Sequence, residues 1–199
     1  MPRVGVLALQ GGFEAHERVL RDIGAEVHEI RTVADLAGLD GLVIPGGEST
    51  TMTLGIEREG LAEPLRSLVR EGTPVLGSCA GLIMLDREHL DLMDILAKRN
   101  AFGRQLQSFE ADLEVHGLGE LDGDFDGAGP LRAVFIRAPW IAEYGPGVKI
   151  LAEVDGHPVA ARQGRMLAVA FHAELTGDDR LHRLFLGDIA AARRSAQTA

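Results

Sequence analysis

Val75-Leu76-Gly77-Ser78-Cys79-Ala80-Gly81-Leu82-Ile83-Met84-Leu85 passes from a short apolar strand-like stretch, through a cysteine flanked by glycines, into an apolar run with helical potential. This is the Gly-x-nucleophile-x-Gly layout of an elbow between strand and helix, where the glycines permit a sharp turn that holds a reactive side chain out of a sheet. A buried structural cysteine, the ordinary role of a single Cys, needs none of this context. At a helix N-terminus, the dipole and free N–H groups also favour the thiolate, the nucleophilic form.

Working outward from this elbow, the same alternation of strand and helix fills the first half of the chain. Residues 4–9 read as a buried strand, and residues 13–23 as a helix with Val19, Leu20 and Ile23 on one face and Gly24 closing it. Residues 27–30 and 42–44 read as further strands, the second stopping at Pro45-Gly46-Gly47, and a helical region bent near Gly60 follows over residues 50–70. Such alternation predicts a parallel sheet covered on both faces. The second half offers strand candidates at residues 108–115, 133–136, 148–154, 158–162 and 166–171, several separated by Gly-containing turns, which predict antiparallel additions. A helix over residues 179–194 carries Leu181, Leu184, Phe185 and Ile189 on one buried face. The expected fold is a single three-layer α/β domain over residues 1–194, its central sheet mostly parallel with antiparallel additions, followed by a flexible tail at 195–199.

The 199 residues suit one domain, and 46% hydrophobic with 25% charged residues is a globular balance. The 25 glycines exceed the usual ~7% and mark turns and close backbone approaches. Twenty basic against 30 acidic residues, a formal charge of −10, argue against a nucleic-acid partner, and seven Phe, one Trp and one Tyr supply no obvious base-stacking platform. The apolar runs fall far short of the ~20 residues of a membrane span, and no signal-peptide pattern opens the chain, so a cytoplasmic protein with no membrane partner is expected. The single Cys79 excludes an intrachain disulfide and a Cys-rich metal site.

Ligands of open α/β sheets bind outside the carboxyl ends of the strands. Gly46-Gly47, Cys79 and His172 all fall at expected strand ends, on one edge. A thiolate that expels an amine needs a proton donor, and His172 is the best placed of seven histidines. Glu174 lies two residues on, so in an extended segment both side chains project to one side and the carboxylate can fix the imidazole tautomer. His16, His28, His89, His116, His157 and His182 have no comparable neighbours and read as surface, core-margin or structural residues. Pro45-Gly46-Gly47-Glu48-Ser49-Thr50 lacks the spacing and lysine of a phosphate loop, but its Gly-Gly turn can aim backbone N–H groups at a developing oxyanion. Two near-motifs fail. His172-Ala173-Glu174 imitates a zinc deaminase without the P-C-x-x-C partner, and Asp122-x-Asp124-x-Asp126-Gly127 starts like a calcium loop but places Ala133 where the last ligand belongs. No metal and no cofactor are implied.

Seven strings together resemble the class I, or triad, glutamine amidotransferases, and within them the glutaminase subunits of pyridoxal 5'-phosphate synthases. They are Leu7-Ala8-Leu9-Gln10-Gly11, Pro45-Gly46-Gly47-Glu48-Ser49-Thr50-Thr51, Gly77-Ser78-Cys79-Ala80-Gly81, Arg99-Asn100-Ala101-Phe102-Gly103-Arg104-Gln105, Ser108-Phe109-Glu110, Phe135-Ile136-Arg137-Ala138-Pro139 and Phe171-His172-Ala173-Glu174-Leu175-Thr176. The likeness covers nearly the whole chain. It departs at Ala173, where the family has proline, and in a shorter stretch over residues 86–99.

The resemblance implies a flavodoxin-like fold and hydrolysis of L-glutamine through a Cys79-His172-Glu174 triad and a glutamyl thioester. It implies an oxyanion hole from the Gly47 and Ala80 N–H groups, and glutamine contacts from Gly47, Glu48, Ser49, Arg104, Ile136 and Arg137. It also implies a synthase partner that takes the ammonia for vitamin B6 biosynthesis, in an assembly of twelve subunits of each kind. Docking is expected to activate the glutaminase by reorienting the Gly46-Gly47 peptide. Two competing readings are a glutaminase for another synthase, such as imidazole glycerol phosphate synthase, and a non-enzymatic doubly wound module in which Cys79 is buried or senses oxidation.

Overall fold

The computed structural model describes residues 1–102, 108–118 and 129–197. Its centre is a seven-stranded sheet of β1 (Arg3–Leu7), β2 (Glu26–Ile30), β3 (Gly41–Ile44), β4 (Val75–Ser78), β9 (Lys149–Val154), β10 (His157–Gln163) and β11 (Met166–Val169). The spatial order is β2-β1-β3-β4-β11-β10-β9. The first five in that order run parallel, while β10 is antiparallel to β11 and β9 to β10. The inner parallel strands read as largely apolar runs because both faces are covered, whereas the edge strand β2 carries Glu26, His28 and Glu29. Val4, Val6, Leu42, Val43, Ile44, Val75, Leu76, Leu167 and Val169 are all fully buried.

The helices are α1 (Phe13–Asp22), α2 (Ser49–Arg58), α3 (Ala62–Arg70), α4 (Ala80–Leu85) and α5 (Arg180–Gln197). The helical region expected over residues 50–70 is thus two helices rather than one bent one. Gly60 takes φ +66°, a conformation that ends a helix and suits glycine, and the chain restarts at Ala62. The last helix runs to Gln197, past the expected start of a tail at residue 195.

Two of the expected strands do not join the central sheet. β6 (Ser108–Leu113) and β7 (Leu131–Ile136) pair with each other as an antiparallel ribbon. A second ribbon, β5 (Ile95–Lys98) with β8 (Trp140–Tyr144), answers to no expected strand. The first ribbon is pinned by aromatic packing. Phe109 stacks on Phe135 with centroids 4.5 Å apart, and Phe135 meets Phe171 edge-on at 5.6 Å, just before His172. The short stretch over residues 86–99 is knotted by the buried Asp86 carboxylate, which accepts from the Glu88 N–H at 2.9 Å and the Ala97 N–H at 3.2 Å and bonds His89 Nδ1 at 2.7 Å.

Candidate active site

β3, β4 and β11 lie side by side and parallel, so their carboxyl ends bring three loops together. At the end of β4, Cys79 takes φ 50° and ψ −104°. A non-glycine residue there costs ~1–3 kcal/mol and must be held by its surroundings. Its N–H donates to the Val169 carbonyl at 2.8 Å, and the flanking glycines let the elbow close. A Cβ on Gly77 would lie 2.7 Å from the Gly81 carbonyl oxygen, and one on Gly81 would overlap the Ile44 carbonyl. Both glycines are therefore demanded by contact with neighbouring backbone.

Beyond β11, the His172 N–H donates to the Val134 carbonyl at 2.8 Å, and residues Ala173–Leu175 form one turn of 3-10 helix. The extended segment expected to project His172 and Glu174 to one side is thus a turn. It folds the carboxylate back onto the ring, with Glu174 Oε1 2.7 Å from His172 Nδ1, and does so with alanine at position 173. The Cys79 side chain lies beside the same ring and favours its charged form. Burial opposes a charged imidazole, but the thiol and the carboxylate outweigh it and the His172 pKa is raised to about 10. Burial likewise opposes ionised Glu174, yet its pKa stays below the usual value, the hydrogen bond and positive charge of His172 favouring the carboxylate.

The third loop follows β3. Gly46 lies against both partners: a Cβ there would overlap His172 Cε1 and sit 3.2 Å from Cys79 Cβ. Its carbonyl accepts from the Gly12 N–H at 2.9 Å, and the Glu48 N–H donates to Gln10 Oε1 at 2.8 Å, so the loop is tied to the segment between β1 and α1. The Glu48 carboxylate caps α2, accepting from the N–H groups of Thr51 (2.7 Å) and Thr50 (3.0 Å). Those backbone bonds, with the Thr51 hydroxyl, bring its pKa down to about 2.

Cys79 and His172 open onto a cleft of about 430 Å³ that is also lined by Gly47, Glu48, Ser49, Ala80, Ile136 and Arg137. All the residues singled out from the sequence meet here or directly behind it, except Arg104, which lies outside the described residues together with the acidic stretch at 122–127. Gln10, Arg99 and Asn100 line the cleft as well. Arg99 Nη1 donates to Ser49 Oγ at 2.9 Å and to Thr50 Oγ1 at 3.2 Å. His16 and His182, read from the sequence as marginal or structural, are fully buried; His16 faces Glu174, and His182 lies behind it against His16. The available signal was helical spacing: His16 stands four residues before buried Leu20, and His182 three before buried Phe185. Among the described residues, no group of three or more His, Cys, Asp or Glu could hold a metal ion, and no helix is long and apolar enough to cross a membrane.

Comparison with known proteins adds three findings. Residues 6–191 match the SNO glutamine amidotransferase family. The chain is 50% identical over 200 aligned positions to the pyridoxal 5'-phosphate synthase subunit PdxT of Mycolicibacterium vanbaalenii, covering 94% of this chain and 98% of that protein. It is 53% identical over 191 positions to the protein of the same name from Pelotomaculum thermopropionicum, covering 92% and 93%. A crystal structure of a glutamine amidotransferase superposes with a TM-score of 0.85 at 43% identity, covering 94% of this chain and 98% of that one.

Proposed function

The chain belongs to the SNO glutamine amidotransferase family, and from that premise we propose that it is the glutaminase subunit of a pyridoxal 5'-phosphate synthase, hydrolysing L-glutamine to L-glutamate and ammonia. The observation that carries the chemistry is His172 standing between the Cys79 thiol and Glu174 Oε1, the latter at 2.7 Å, at the mouth of a cleft.

The Cys79 thiolate, paired with protonated His172, attacks the side-chain carboxamide carbon, forming a C–S bond as the C=O π bond opens to a tetrahedral oxyanion that the Gly47 and Ala80 N–H groups receive. His172, with its pKa near 10, is protonated at neutral pH and gives its proton to the departing nitrogen as the C–N bond breaks. Ammonia leaves and a γ-glutamyl thioester remains. The now neutral ring takes a proton from water, which attacks the thioester and releases glutamate and the thiolate. Glu174 holds the ring's tautomer and stabilises its charge without changing its own protonation. Gly47, Glu48, Ser49 and Ile136 shape the glutamine site, and the guanidinium of Arg104 or Arg137 meets the substrate carboxylate, a partner its fork suits.

Free ammonia would be lost as ammonium, so turnover should depend on docking to the synthase subunit, in a cytoplasmic assembly of twelve subunits of each kind. Residues 1–194 act as one glutaminase domain. Docking reorients the Gly46-Gly47 peptide. The Gly46 carbonyl is held by one backbone hydrogen bond from Gly12, a net ~1 kcal/mol, so the rearrangement lies within reach of a protein interface.

The test is ammonia release from glutamine with and without the synthase subunit, for the wild type and Cys79→Ala. Release that requires both the synthase and Cys79 is expected. Equal turnover with and without the synthase would overturn activation by docking, and release unaffected by Cys79→Ala would overturn the triad.

A further inference from the structure

Glu174 has two carboxylate oxygens, and His172 occupies one of them. The other, Oε2, is buried and makes no hydrogen bond; the ionisable group facing it is His16 Nε2 on α1 at 3.4 Å, with both side chains almost fully shielded from solvent. The same His16 Nε2 lies 2.9 Å from Ser78 Oγ, the residue before the nucleophile. On its far side, His16 Nδ1 lies 3.0 Å from His182 Nε2 on α5. A line of neighbouring polar side chains thus runs from Cys79 through His172, Glu174 and His16 to His182, drawing on the elbow, the turn after β11, and two helices.

The direction of the hydrogen bonds in this line follows from counting protons. Burial lowers the pKa of both rings, that of His182 to about 3, so each is neutral and carries one N–H. In one arrangement His182 Nε2–H donates to His16 Nδ1, and His16 Nε2–H is left to face Glu174 Oε2 and Ser78 Oγ. In the other, His16 Nδ1–H donates to His182 Nε2. His16 then turns a lone pair toward the carboxylate, and His182 Nδ1–H becomes a buried donor, although His182 Nδ1 has no hydrogen-bond partner. The second arrangement carries two penalties that the first avoids, since an unpaired buried N–H and two facing lone pairs are both costly.

We propose that His16, its tautomer fixed by His182, is a positioning residue for glutamine hydrolysis, presenting Nε2–H to Glu174 Oε2 so that the carboxylate stays turned toward His172. It touches neither substrate nor nucleophile and acts through Glu174. The inference rests on the glutaminase reading above.

The experiment is glutamine hydrolysis in the presence of the synthase subunit, with kcat and KM measured for the wild type, His16→Leu, His16→Gln, Glu174→Gln and the double variant His16→Leu/Glu174→Gln. Loss of the polar group that faces the buried carboxylate predicts that His16→Leu lowers kcat about tenfold with KM little changed. Glutamine at position 16 can carry an N–H to nearly the place of Nε2, and His16→Gln is expected to recover most of the loss. In the Glu174→Gln background no ionised carboxylate remains to be positioned, so His16→Leu should cost less than about twofold further. Equal losses in both backgrounds, a His16→Gln variant as slow as His16→Leu, or a fully active His16→Leu would each overturn the proposal. Should His16→Leu fail to fold, His16→Gln against His16→Asn decides. Both are polar, but the shorter amide stops short of Glu174, so equal activity would overturn the proposal and a slower Asn variant would support it. A wild type without Cys79-dependent release would instead overturn the glutaminase reading beneath it.

Discussion

Replacing Gly46 with alanine should disable the site while leaving the fold in place. A Cβ built on Gly46 lies 3.0 Å from His172 Nδ1 and 3.2 Å from Cys79 Cβ, and closer still to His172 Cε1. Non-bonded carbon atoms settle ~3.5–4.0 Å apart, so the imidazole or the elbow has to retreat by roughly 1 Å. The ring cannot do so and keep both its thiol contact and its 2.7 Å bond to Glu174. A misplacement of that size costs on the order of 100-fold in rate, about 2.7 kcal/mol of barrier. Gly46 is not among the positive-φ glycines, so alanine suffers no backbone penalty, and the expected stability loss is that of mild overpacking, ~1–3 kcal/mol. Glutaminase turnover with the synthase subunit should therefore fall about 100-fold in a protein that still unfolds cooperatively. A folded Gly46→Ala variant retaining more than about a third of wild-type turnover would refute the reasoning.

Two further outcomes follow from packing and protonation. Phe135→Ala removes the ring that joins Phe109 to Phe171 and should lower stability by about 3–5 kcal/mol, read from the urea midpoint; a loss below about 1 kcal/mol would show that the cluster does not anchor the β6–β7 ribbon. His182 is held neutral in the folded protein down to about pH 3 but takes up a proton near its ordinary 6.5 when unfolded. The unfolded state then binds more protons, so stability declines as pH falls below 6.5, by up to about 1.4 kcal/mol per pH unit for this one group. Urea unfolding at several pH values between 4 and 7 should show a shallower slope for His182→Phe than for the wild type, and identical slopes would count against a neutral buried ring.

Much of this molecule can be read from its residue order because the inner parallel strands are buried on both faces and the glycines of the elbow stand where backbone meets backbone. Gly77, Cys79 and Gly81 announce the elbow, and the same three positions prove to be the ones where Cβ atoms or an ordinary φ would fail. The ribbon strands β5 and β8 were not legible. β5 has only four residues and its exposure rises along it without alternating, so neither the buried-strand nor the half-buried-strand pattern applies. The turn at Ala173–Leu175 was hidden for a different reason. Its geometry serves the contact between His172 and Glu174, a tertiary demand that local pattern does not record. His16 was placed at the surface or core margin because it was weighed by its sequence neighbours, while it is fully buried in a contact with His182 that spans 166 residues of chain; His182, expected to be structural, is buried in α5.

That span has a consequence for how the protein comes into being. β11 sits in the slot between β4 and β10, and it supplies both the carbonyl that holds the Cys79 N–H and the lead into His172 and Glu174. As a chain emerges from the ribosome, the thiol of Cys79 is made well before its base and carboxylate, His172 and Glu174. Until then β4 is an unpaired edge, the strained elbow lacks its anchor, and glutamine meets a cysteine with no proton donor. The three side chains can therefore come together only once β11 closes the middle of the sheet.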